Sequence, residues 1–254
     1  MIPEIRRVGQ HAVLVATAQQ EIFGDFIESI TGPEYEWAFD RGVLTFESDQ
    51  GWLKCDTYPV ASIAVEPATV LWRWQPMSEE EATYFRGDAV AGYRHQLRTF
   101  SQPEVPYESG QDQVATIAQV GHDIIAAGYE IFGLGSVFYQ ARFNAAGSRL
   151  VWALANFRTA GGPVEVPRPM LHDVLVKAPR LLDSADDFQW SLSGVAQFFT
   201  GVKCVMERFI PERRHVATFT EPNGTEHSVD VTLTEHGHVE YVKMSIGPLG
   251  DSKA

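Results

Sequence analysis

The stretch Tyr35-Glu36-Trp37-Ala38-Phe39-Asp40-Arg41-Gly42-Val43-Leu44-Thr45-Phe46-Glu47 decides the fold class. Tyr35, Trp37 and Phe39 alternate with Glu34, Glu36 and Ala38, the period of a half-buried strand with a partly acidic outer face. Asp40-Arg41-Gly42 is a turn and Val43 to Glu47 the return strand, so the segment is an antiparallel hairpin. Working outward, residues 52–65 read as one long strand or two short ones broken near Pro59. Residues 69–75 read as another strand, with Val70, Trp72 and Trp74 on one face. Upstream, Leu14, Ala18, Ile22 and Phe26 recur every four residues, which predicts a helix over about 8–30. Thr31-Gly32-Pro33 ends it, because Gly suits a C-cap and Pro cannot continue a helix.

Downstream, Ser78 with Glu79–Glu81 opens a predicted helix reaching about Phe100, the acids favouring the positive end of the helix dipole. A Pro-containing loop (101–110), a helix (111–128) and a hairpin (136–157) turning at Asn144–Gly147 follow. The Gly- and Pro-rich loop 159–168 is the best linker. Beyond it come helices over 169–182 and 186–200 and four strands over 202–210, 214–220, 227–234 and 238–246. The expected fold is α+β: antiparallel sheets with flanking helices, not the strand–helix alternation of a parallel sheet. The linker divides the chain into an N-terminal α+β unit, 1–160, and a helix pair plus four-stranded antiparallel unit, 161–254, expected to pack as one globule. The order of Trp-bearing strand, two helices and hairpin occurs twice, at an offset of about 75–80 residues, which leaves internal duplication and coincidence both open.

The chain has 254 residues and a formal charge of −13, from 20 basic and 33 acidic side chains. Its 44% apolar content is enough for a sizeable core. A negative surface repels phosphate backbones and anionic lipid, so neither nucleic acid nor membrane is an expected partner. The densest basic run, Arg213-Arg214-His215, reads as a turn between strands. Cys55 and Cys204, far apart, read as buried free thiols. The apolar run Ala12–Ala16 is shorter than a signal-peptide core, so a cytoplasmic chain without a leader is expected.

The sequence carries no catalytic motif. His122-Asp123 and His172-Asp173 resemble metal-ligand pairs but read as surface helix residues. His236-Gly237-His238, with His227 or His215 nearby, resembles a metal clip, but Gly237 sets it in a turn. Gly133-x-Gly135 follows a helix where a dinucleotide fingerprint would precede one. No metal site and no cofactor are expected. Trp72-Arg73-Trp74 is the most distinctive local feature. Its plain reading is core Trp with a solvent-facing Arg, and its functional reading is an aromatic sheet face gripping a ligand. Arg142 and Arg149, across the hairpin turn at 144–147, would supply an anion contact there.

Trp37-Ala38-Phe39-Asp40, Trp72-Arg73-Trp74, Glu79–Glu81, Ala127-Gly128-Tyr129 and Trp152-Ala153-Leu154-Ala155-Asn156 together resemble an uncharacterised bacterial family of domains of unknown function, over about residues 35–157. The resemblance implies no activity and transfers no catalytic residue. Two functional expectations stand. One is a non-enzymatic interaction protein, immunity-like or regulatory, that binds a protein partner or forms a homodimer through an acidic face or a sheet edge. The other is a small-molecule-binding domain, or an enzyme built on one, with Trp72, Trp74, Arg142 and Arg149 at its ligand site.

Overall fold

Proline at the first helical position costs no hydrogen bond, and Pro3 opens the longest helix of the protein in this way. In the computed structural model, which describes residues 2–73, 97–182 and 187–247, this helix is α1, Pro3–Thr31. It ends where Gly32, at φ 74°, donates its N–H to the Glu28 carbonyl. Elements are numbered over the described residues. The predicted apolar stripe shifts: Leu14 and Ala18 are buried, whereas Phe23 and Ile27 go deeper than Ile22 and Phe26. The middle of the helix is covered on more than one side, since Gln10, His11 and Gln19 are buried with the apolar residues.

Strands β1 (Glu36–Asp40), β2 (Val43–Glu47), β3 (Trp52–Ala64), β4 (Thr69–Trp72) and β5 (Glu104–Pro106) form consecutive neighbours in an eight-stranded sheet curled into a half-barrel. Strand β3 runs through Pro59 unbroken. Its register against β7 (Arg149–Thr159) shifts between Lys54 and Asp56 and again between Pro59 and Ala61, so irregularities take up the curvature. Strand β6 (Val137–Arg142) and the two-residue β8 (Gly162–Pro163) pair with β7. Short helix α2 (Arg98–Ser101) and β5 occupy what reads from sequence as helix end and loop. Trp74, Glu79–Glu81 and the body of the helix expected from Ser78 to about Phe100 lie outside the described residues.

Helix α3 (Gln113–Phe132) starts at Asp112, whose carboxylate accepts from the Ala115 N–H. It packs on β3, β6 and β7, where Gly128 leaves room for the ring of Phe138. The end of α1 covers the opposite face. There Phe23 and Ile27 bury Leu44, Phe46, Leu53, Trp152 and Leu154, and Phe46 meets Phe23, Tyr35 and Tyr139 edge-on at 6.1, 5.8 and 5.1 Å. Burial of each such side chain is worth about 1.5–3 kcal/mol.

The chain resolves into two compact units: Met1–Gly9 with Gln19–Arg168, and Gln10–Ala18 with Pro169–Ala254. Helix α1 therefore contributes its middle to the second unit. That unit holds α4 (Leu171–Leu175), α5 (Ala178–Leu181), α6 (Phe188–Val195), a 3-10 turn (Ala196–Phe198) and strands β9 (Lys203–Phe209), β10 (Arg214–Thr220), β11 (Glu226–Leu233) and β12 (Val239–Ser245). The strands form a meander in the order β12-β11-β10-β9. The first helix of the repeat weighed from sequence lies largely outside the described residues, and of the two hairpins β6–β7 joins the large sheet whereas β9–β10 begins a separate one. In β10 and β11, His215, Ala217, Phe219, Val229 and Val231 are buried. On the other face Arg214 grips Asp230 with Nε and Nη2, at 2.8 and 2.6 Å, over the ring of Phe209.

Candidate functional site

Trp72 sits on β4 and is 8% exposed. Its Nε1–H donates to the Thr99 carbonyl at 3.1 Å and its ring lies against Phe100, centroids 5.3 Å apart. Thr99 in turn donates from its N–H and hydroxyl to the Glu4 carboxylate. Trp72 thus ties the sheet to α2. Trp74 lies outside the described residues.

Arg142 ends β6 and Arg149 begins β7, and the antiparallel register sets them opposite each other. They line one surface depression of about 80 Å³ together with Gln113, Val114 and Ile117 of α3 and Ala146 and Gly147 of the turn. Trp72 does not line it. The α3 wall carries no signal in the sequence, since it reaches the hairpin only through the tertiary fold.

Among the described residues the histidines do not converge on a metal-binding group. His227 is buried: its Nδ1 accepts from the Gly247 N–H at 3.3 Å, so the proton lies on Nε2 and is donated to Glu221 at 2.7 Å. His236 is exposed beside Glu235. Asp173 accepts from the Met170 N–H at the start of α4 while its other oxygen lies 3.0 Å from His172 Nε2, which makes that His-Asp pair a helix cap. Among the described residues no group of three His, Cys, Asp or Glu side chains stands close enough to hold a metal ion. Burial pushes the Cys55 thiol up to about 12 and Cys204 up to about 11, so neither is a ready nucleophile.

Among the described residues β1, β5, β6 and β8 are terminal strands of the sheet in the first unit, and β9 and β12 of the sheet in the second. Every residue of β1 is exposed, including Trp37 and Phe39, a pattern that corrects the half-buried strand expected from alternation. Strand β9 exposes Val205 (59%), Met206 and Phe209, and Ile210 (70%) follows directly. The sequence signal for this surface is the apolar run itself, which reads from sequence only as a strand. No described helix is long and apolar enough to cross a membrane.

A family model described as "Family of unknown function (DUF6882)" matches residues 6–157. The match takes in nearly all of α1 as well as the sheet and ends inside β7. No curated protein and no solved structure matches the chain.

Proposed function

We propose, for a chain that belongs to this family of unknown function, that it is a non-enzymatic interaction protein that pairs with a second copy of itself through the free edge of β9. The observation that carries the reading is the composition of that edge. Unpaired backbone groups of a terminal strand are a template for another strand, and proteins usually blunt such edges with charge or cover. Two copies of β9 laid antiparallel about Val205 set Lys203 of one opposite Glu207 of the other, twice, with Val205 facing Val205 between them. The same operation on β1 about Ala38 sets Glu36 opposite Asp40, two like charges at each end. Strand β9 is therefore complementary to itself, and β1 repels its own copy.

Light scattering during size-exclusion chromatography tests this. The expected result is a dimer for the full chain and a monomer for Val205→Lys, which sets two ammonium groups face to face. Val205 is exposed, so the substitution changes the stability of one copy by about 0.5 kcal/mol or less. A wild-type monomer at tens of micromolar, or a Val205→Lys dimer as tight as wild type, overturns the reading. A second reading, a small-molecule-binding domain, is favoured by the two guanidinium groups that line the depression beside α3.

A further inference from the structure

Side chains directly opposite in an antiparallel pair stand about 5 Å apart at Cβ, and like charges there destabilise the sheet. Arg142 and Arg149 occupy such a pair, and among the described residues neither meets a carboxylate. Arg142 donates from Nε to the Asn144 carbonyl at 3.2 Å and from Nη2 to the Ala145 carbonyl at 2.7 Å. Arg149 donates from Nη1 to Gln140 Oε1 at 3.3 Å. These neutral acceptors fix the direction of each guanidinium and leave its charge uncancelled. Each still has N–H donors to spare, since a guanidinium carries five. Between them lies the depression, with the side chains of Val114 and Ile117 as its apolar wall.

We infer that this depression is a binding site for a phosphoryl group, held by Arg142 and Arg149. A phosphate monoester or free phosphate carries about −1.5 to −2 at neutral pH, which matches two guanidinium charges. Planar N–H forks suit its oxygens in a way ammonium groups do not. The pair is conspicuous in a chain of net charge −13, whose overall field disfavours non-specific collection of anions. An anion that binds here does so through local geometry. Its residues belong to the first unit and those of the β9 edge to the second.

The test is titration of the full chain with inorganic phosphate and, separately, with glycerol phosphate, read by calorimetry and by the arginine Nε–H resonances. The expected result is saturable binding that moves Arg142 and Arg149, weakened about tenfold or more by Arg142→Gln or Arg149→Gln, as loss of a charged hydrogen bond implies. Arg142→Lys weakens it too, because the fork is lost, and the exposed Arg41→Gln leaves it unchanged. Tighter binding of glycerol phosphate identifies a phosphorylated molecule as the source, and equal binding identifies free phosphate. Arg142 is exposed at the hairpin tip, so its variants keep the fold and remain informative if Arg149→Gln does not. Absence of saturable binding, or wild-type affinity in both Gln variants, overturns the inference.

Discussion

At the scale of single residues, His215 sets a pH dependence. It is 7% exposed, packs edge-on against Phe188 and accepts at Nδ1 from Gln189 Nε2 at 3.0 Å, a bond only the neutral ring makes. Burial first, and the nearby Arg208 charge second, hold its pKa below the ordinary 6.5. The unfolded chain therefore binds the proton more readily than the folded one, and folding stability rises with pH across that window. Its contribution is complete above the unfolded value and is lost as pH falls from 6.5 through the folded value. Urea unfolding of wild type and His215→Gln at steps between about pH 7 and about pH 5 checks this. The expected outcome is a shallower fall in the variant, and parallel curves would show that His215 is not the titrating group.

At the scale of elements, Gly194 shows how closely α6 approaches α1. In an exposed helix interior, Gly→Ala gains about 1 kcal/mol from propensity. A Cβ on Gly194, however, would run into the backbone carbonyl of His11, and backbone cannot swing aside as a flexible side chain can. Overpacking costs about 1–3 kcal/mol, so against rigid backbone the steric term wins and Gly194→Ala lowers stability, by up to about 2 kcal/mol net. Chemical denaturation decides the sign. The hairpins around Gly42, Asn144–Gly147 and Gly237 were legible because strand period and turn chemistry are local. Strands β5 and β8 were not, since Pro106 and Pro163 read as loop and only pairing with β4 and β7 makes them strands. The opposition of Arg142 and Arg149 followed from the hairpin turn. Gln113, Val114 and Ile117, which complete the depression, reach it through helix packing that no local pattern encodes. The openness of β9 was hidden for the same reason, because a strand's place in its sheet is a long-range property.

At the scale of the whole molecule, the division into units does not follow the chain. Residues 10–18 belong with 169–254, and residues 1–9 with 19–168. His11 lies 4.1 Å from Trp190, centroid to centroid, and Ala12, Leu14, Val15 and Ala18 are buried. A fragment of residues 169–254 expressed alone therefore lacks a helix its core is built around. It is expected to bind a hydrophobic dye and to melt without a cooperative transition, whereas the full chain melts cooperatively. A sharp transition in the fragment, seen by circular dichroism, would show that residues 10–18 are dispensable.

The same discontinuity has a consequence for biosynthesis. Residues 10–18 leave the ribosome before the segment they pack with, which begins roughly 150 residues later. At about 5–20 residues per second, that is a wait of roughly ten to thirty seconds. Throughout it an apolar stretch of the nascent chain has no native cover from the rest of the second unit. In a cell, that interval is when holding factors would bind this protein, and when slowed translation would do it the most harm.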